Sequence, residues 1–127
     1  MIDVLIVDDE EDICDFLTQI SEELGFKAAF ALTGEEALKL IDQNGVKVCV
    51  IDLRLSTAMS GIDVIKAIRA RKPETVLAAM SGYIDVGLKQ EAERFHVSAY
   101  LEKPTDLKPG AFTAKLKDLM SKASSYT

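Results

Sequence analysis

A chain of 127 residues that is 48% hydrophobic and 28% charged has the size and composition of one globular domain with its own core. Its net charge of −6 argues against binding nucleic acid or an anionic membrane by charge alone. No apolar run approaches the ~18 residues of a membrane span, and residues 1–7 carry no basic segment leading into a long apolar stretch, so no signal peptide is visible.

The chain opens on Ile2, Val4, Leu5, Ile6 and Val7, a short apolar run that reads as a strand over residues 2–7. Ile13, Phe16, Leu17, Ile20 and Leu24 then recur at helical spacing, with Gly25 as a natural stop. Residues 26–32 are mixed and give a weaker strand. Thr33 is placed to cap a helix, with Glu36 three residues on and Ala37, Leu38 and Ile41 as its apolar stripe, ending near Gly45. Val46, Val48, Cys49, Val50 and Ile51 form the third strand. Gly61 leads into Ile62, Ile65 and Ile68, and Pro73 closes that helix. Residues 75–80 and 97–101 are shorter strands. Between them Asp85 can cap a helix over residues 86–95, whose apolar members are Val86, Leu88, Ala92 and Phe95. Residues 107–123 close the chain with Phe112, Leu116, Leu119 and Met120, and residues 123–127 read as a fraying tail.

This alternation predicts an α/β fold, (βα)5, with a parallel sheet covered by helices on both faces and joined by right-handed crossovers. No repeat or interdomain linker divides residues 1–127, which read as a single domain. Cys14 and Cys49 lie inside periodic segments and suit free core thiols in a reducing cytoplasm. A single His leaves no basis for a metal site built on Cys and His.

Polar residues gather where strands end. The first strand ends in Asp8 and Asp9, the third in Asp52, the fourth in Ser81-Gly82, and the fifth in Lys103-Pro104. The carboxyl ends of parallel strands form one edge, and ligands bind there where the strand order reverses. Crowded carboxylates resist joint ionisation, and a divalent cation is the simplest remedy; oxygen-only donors favour Mg2+. Each residue also has a plainer reading: Asp8 and Asp9 as acids at a helix start, Asp52 and Ser81 as loop residues, Lys103 as a surface lysine, Tyr100 as a half-buried aromatic. Glu10, Glu11, Asp12 and Asp15 read as a solvated face, and His96 as a residue at a helix end.

Four segments together resemble the receiver domain of two-component response regulators, of the chemotaxis-regulator type. They are Val4-Leu5-Ile6-Val7-Asp8-Asp9-Glu10, Val48-Cys49-Val50-Ile51-Asp52-Leu53, Met80-Ser81-Gly82-Tyr83 and Tyr100-Leu101-Glu102-Lys103-Pro104. The resemblance runs along nearly the whole chain and implies a doubly wound, flavodoxin-like sheet of order 2-1-3-4-5. It implies that Asp52 accepts a phosphoryl group from a phosphohistidine on a sensor histidine kinase or phosphotransfer protein. It implies that Asp9, Asp52 and the backbone carbonyl of Arg54 hold Mg2+, with Asp8 assisting, and that Lys103 and Ser81 contact the phosphoryl group. Ser81 and Tyr100 would form the switch. The surface signalling to a downstream partner or output domain would be the fourth helix, fifth strand and fifth helix, about residues 85–120, with Lys89, Glu93 and Lys115 exposed on it. Arg54 and Tyr83 stand two residues beyond the acceptor and the hydroxyl, where they would overhang the site and lengthen the phosphoryl group's life. The chain would be no enzyme beyond catalysing its own phosphorylation and dephosphorylation.

Two departures bear on the site. The loop from Asp52 to Gly61 carries one residue more than is usual, with Ser56 where Pro is common, a change that bears most on the Arg54 carbonyl. His96-Val97 replaces a Gly-Ala pair, and Thr105 an aromatic. Rival classes fare worse. An aspartate-nucleophile phosphatase needs a second Asp two residues on, where Arg54 stands. A nucleotide or flavin module needs a Gly-rich loop where Asp8-Asp9-Glu10 would repel phosphate. A protein-binding module that works without phosphorylation is the alternative that stands. The sequence fits both a stand-alone regulator and the receiver of a longer protein, and it names no kinase, output or oligomeric state.

Overall fold

A computed structural model describes residues 1–82 and 85–124. Five strands, β1 (Ile2–Val7), β2 (Ala28–Ala31), β3 (Val46–Asp52), β4 (Val76–Ser81) and β5 (Val97–Glu102), alternate with helices α1 (Glu11–Glu23), α2 (Gly34–Asn44), α3 (Gly61–Arg71), α4 (Val86–Glu93) and α5 (Pro109–Ser124). A short 3-10 turn, Thr105–Leu107, precedes α5. The strands pair in parallel in the order β2-β1-β3-β4-β5. This is the predicted doubly wound, flavodoxin-like sheet.

Side chains alternate across each strand, so the sheet feeds two cores. Leu5, Val7, Cys49, Ile51, Leu77 and Ala79 face α2, α3 and α4, packing with Ile41, Ile65 and Ile68. Val4, Ile6, Val48, Val50, Ala78 and Met80 face α1 and α5, packing with Leu17, Phe112 and Leu116. Both cysteines are free and buried, as expected. Burial on both faces is why β1 and β3 read as unbroken apolar runs.

The helix ends follow local chemistry. Thr33 Oγ1 accepts from the Glu36 amide, and Asp85 Oδ1 from the Leu88 amide, as the sequence predicts. Gly25 takes the positive φ of 91° that glycine tolerates. At α3 the cap is Ser60, which forms a reciprocal box with Asp63. Those hydrogen bonds from the backbone and hydroxyl of Ser60 hold the Asp63 carboxyl below its ordinary range.

Three expectations are corrected. Phe16 is 43% exposed, because the buried stripe of α1 runs through Cys14, Leu17, Ile20 and Ser21, and Phe16 sits beside it. Val86 is 61% exposed at the first turn of α4, where only Ala92 is buried on that helix. The tail does not begin at residue 123: α5 runs to Ser124, and Ala123 is buried with the α1–α5 core.

Candidate functional site

The carboxyl ends of β1, β3, β4 and β5 bring Asp8, Asp9, Asp52, Ser81 and Lys103 to one edge of the sheet. β1 and β3 are neighbours at the point where strand order reverses, so their terminal acids meet there. Oxygens of Asp8, Asp9 and Asp52 lie within 4.8 Å of one another. Two bonds carry the ladder past the strand ends: the Leu53 amide donates to Met80 O at 2.9 Å, and the Lys103 amide to Ser81 O at 2.9 Å. The second fixes where the Lys103 side chain departs. The Lys103-Pro104 bond is cis.

Lys103 Nζ donates to Asp8 Oδ2 at 2.6 Å and to Asp52 Oδ2 at 3.3 Å, and is 3.8 Å from Glu10 Oε1. The other oxygens are held by backbone. Asp8 Oδ1 accepts from the Glu10 amide at 2.9 Å, and Asp52 Oδ1 from the Arg54 amide at 2.9 Å. Asp9 is exposed, and its Oδ2 accepts from the Ser56 amide at 3.3 Å. Cys14 sits beneath, its thiol donating to Asp8 O; burial, with the nearby Asp8 charge, pushes its pKa up to about 12, so it stays a thiol.

Asp8 is fully buried. That burial pushes its carboxyl above the ordinary carboxylate range, and Asp52 adds to the effect, despite the bonds from Lys103 and the Glu10 amide. Burial also works against the charged form of Lys103, but the bond to Asp8 and the charges of Asp52 and Asp8 prevail and hold the ammonium above its usual range. Three carboxylates against one ammonium leave excess negative charge at the edge. A divalent cation fits this set: the donors are all oxygens, they converge, and charge remains to neutralise. Asp9, the exposed member, is the open side of the site.

Gly61 bears directly on this geometry. A Cβ there would lie 2.2 Å from Asp52 O and 2.7 Å from Leu53 Cα, so only glycine lets the start of α3 lie against the end of β3. The longer loop between them is held by Thr57 Oγ1, which donates to Met59 O at 2.6 Å.

Arg54 stands beside the cluster. Its amide is tied to Asp52, while its Nη2 lies 2.9 Å from Asp85 Oδ2 on the cap of α4. Tyr83 lies outside the described residues. Ser81 ends β4 half-buried. Tyr100, on β5, is half-buried with its hydroxyl donating to Lys89 O at 3.1 Å and Lys89 Nζ 4.9 Å from its ring centre. Burial, with Glu93 nearby, raises the Tyr100 pKa. A cavity of about 220 Å³ lined by Leu53, Ser81, Asp85 and Tyr100 separates the hydroxyl from the aromatic. The Ser60–Asp63 box, the Ser56 amide on Asp9 and the Arg54–Asp85 pair escaped the sequence reading. A Ser followed three residues later by an acid was a visible signal for the first; backbone donors and surface pairs leave none.

Fold and site together define a flavodoxin-like α/β domain with an acidic, lysine-bridged pocket at the switch point of its sheet. The chain belongs to the response regulator receiver domain family, whose model matches residues 4–116. An NtrX-like response regulator of Rickettsia bellii is 32% identical over the whole of this chain, which covers 29% of that protein. The acid tolerance regulatory protein ActR of Rhizobium meliloti is 36% identical over 81% of this chain and 53% of its own length. The chain thus spans from under a third to about half of these relatives. The CheY-like receiver domain protein of Methanospirillum hungatei superposes with a TM-score of 0.91 at 24% identity, covering 100% of this chain and 99% of that one. The receiver domain of NtrX from Brucella abortus gives 0.86 at 24%, covering 94% and 98%. This stretch of chain therefore has the fold and the sequence of a response regulator receiver domain. Among the described residues no helix is long and apolar enough to cross a membrane.

Proposed function

We propose that Asp52 accepts a phosphoryl group from the phosphohistidine of a sensor histidine kinase or phosphotransfer protein, in a Mg2+-dependent reaction, and that the aspartyl phosphate switches the domain to control a partner or output domain. The observation that carries this reading is Lys103 Nζ set between Asp8 and Asp52 at one edge of the sheet, beside the open carboxylate of Asp9. An Asp52 oxygen attacks phosphorus, the P–N bond breaks, and imidazole leaves. Phosphoryl transfer asks a protein mainly for position and charge neutralisation. The Arg54 amide fixes the orientation of the Asp52 carboxylate. Lys103, already bonded to it, offers a cation to the equatorial oxygens, and Ser81 offers a hydroxyl. Asp9, Asp52 and the Arg54 carbonyl, with Asp8 assisting, would hold Mg2+, which would supply the remaining positive charge.

The new group carries about −1.5 to −2 charge. Ser81 moving toward it vacates space that Tyr100 can enter across the intervening cavity, which couples the site to α4, β5 and α5 and to Lys89, Glu93 and Lys115 on them. Arg54 and Tyr83 set the lifetime of the phosphoryl group. No substrate is turned over beyond the domain's own phosphorylation and dephosphorylation, and the setting is cytoplasmic. Incubation with acetyl phosphate tests the reading. Label that is acid-stable, base-labile and Mg2+-dependent is expected on the wild type and absent from Asp52→Asn. Equal labelling of the two overturns the acceptor assignment. An unlabelled wild type points to binding without phosphorylation.

A further inference from the structure

Arg54 is bonded at both ends. Its amide donates to Asp52 Oδ1 at 2.9 Å, so its backbone is fixed beside the acceptor. Its guanidinium reaches Asp85, which lies 31 positions further along the chain, at 2.9 Å. Asp85 is itself shared. Oδ1 accepts from the Leu88 amide and caps α4, while Oδ2 takes Arg54 Nη2. One carboxylate therefore both starts α4 and ties that start to the end of β3.

We propose that Asp85 is a positioning residue for the phosphoryl group: it holds the Arg54 guanidinium on α4 in the resting domain and yields it to the phosphoryl oxygens on Asp52, so that the tie between β3 and α4 is cut by phosphorylation. This rests on the acceptor role proposed for Asp52.

The balance of partners supports the exchange. The side chains of Arg54 and Asp85 are 39% and 36% exposed, so water screens their pair. A phosphoryl group offers three acceptor oxygens and up to about twice the charge of a carboxylate, in a form the guanidinium fork matches. The Arg54 backbone need not move, since it already lies against Asp52. Asp85 keeps its bond to Leu88 after the exchange, so α4 keeps its cap and loses only its anchor. The cavity of about 220 Å³ bounded by Leu53, Ser81, Asp85 and Tyr100 gives the released first turn somewhere to go.

A double-mutant cycle on the full chain tests this, with beryllofluoride plus Mg2+ as the phosphoryl mimic. Asp85→Asn keeps a capping oxygen and removes the charge that competes for Arg54. It is expected to bind beryllofluoride roughly threefold more tightly than wild type, within what one exposed pair can supply. Arg54→Ala is expected to bind more weakly, and Asp85→Asn added to it to change nothing further. Amide exchange in the first turn of α4 should rise when wild type binds the mimic, and should already be raised in Arg54→Ala without it. An Asp85→Asn effect that persists in the Arg54→Ala background means that Asp85 acts through space, and overturns the proposal. So does unchanged exchange in α4 of the wild type. A wild type that binds no beryllofluoride overturns the acceptor reading and this proposal together; binding without coupling overturns this one alone.

Discussion

At the amino edge of the sheet one arginine serves four backbone carbonyls; at the carboxyl edge three carboxylates converge, and two of them share one lysine. Arg69 leaves the last turn of α3 and donates to Phe95 O, Pro73 O, Thr75 O and His96 O at 2.6–3.2 Å. It thereby satisfies the turns that lead into β4 and β5, including His96, whose φ is +58°. Thr75 Oγ1 adds a buried bond to Val46 O. At this edge each of these five carbonyls has a side-chain donor. At the other, Asp8 is fully buried with its carboxyl held above its usual range, and like charges face each other. The contrast separates a fastening from an unneutralised cluster: the first binds its partners as it stands, while the second is left short of positive charge that a divalent cation can supply.

Breaking the fastening should have the largest effect. Arg69→Met takes the donor from four carbonyls, two of them in part-buried bonds, and hydrogen bonds to charged donors are worth more than neutral ones. Urea unfolding should show a loss of about 3–4 kcal/mol, while Asp52 labelling per folded molecule stays unchanged. A loss of labelling as well would mean that the two edges are not separable.

Lys103→Met should cost less, because Asp8 can take up a proton when its partner goes. The expected loss is roughly 2–3 kcal/mol at neutral pH, against ~3–5 for a fully buried pair. The pH dependence follows from the two shifts. Lys103 has a raised pKa, so its stabilisation is complete below the reference value of 10.5 and fades as pH rises through the folded value. Asp8 is an acid with a raised pKa, so its ionised form destabilises above its folded value, and the penalty disappears as pH falls through that value toward 3.8. The deficit of the variant should therefore be greatest near neutrality and shrink on both sides. A deficit independent of pH would assign Lys103 a packing role instead.

Asp52→Asn should have the smallest effect on stability, with the opposite sign. It removes one of three crowded charges and keeps an oxygen for the Arg54 amide, so a gain of about 0.5–1 kcal/mol is expected without metal. Added Mg2+ should raise the melting temperature of wild type and leave the variant unmoved. Destabilisation of the metal-free variant would show that Asp52 belongs to the fastenings after all.

The same contrast explains what the sequence made legible. Strand interiors were readable because burial on both faces demands unbroken apolar runs, as in Val4–Val7 and Val48–Ile51. The acids were readable because they follow such runs, Lys103 because it stands with Pro104 just past the weaker fifth strand, and the parallel topology brings strand ends together. Thr33, Asp85 and Gly25 declared their helix ends by residue type. Phe16 was misjudged because helical spacing fixes an angle, not how far the covering layer extends. Arg69 was invisible: it stands near Arg71 and Lys72, like any basic helix end, and its partners are backbone carbonyls, which every residue has. Arg54 was placed over the site by its position in the chain, but no local pattern could reveal Asp85 so far along.

Lys103 directly follows β5, the fifth and last strand of this sheet in chain order. Pairing Leu5 with Cys49 and Val7 with Ile51 needs only the first half of the chain, and it already gathers Asp8, Asp9 and Asp52. Until β5 docks, that cluster has no lysine to meet it. A divalent cation fits that early cluster as it fits the finished one, because the converging oxygens are the same. Synthesis thus meets the charge problem of the site first, and the lysine counter-ion arrives only with the fifth strand.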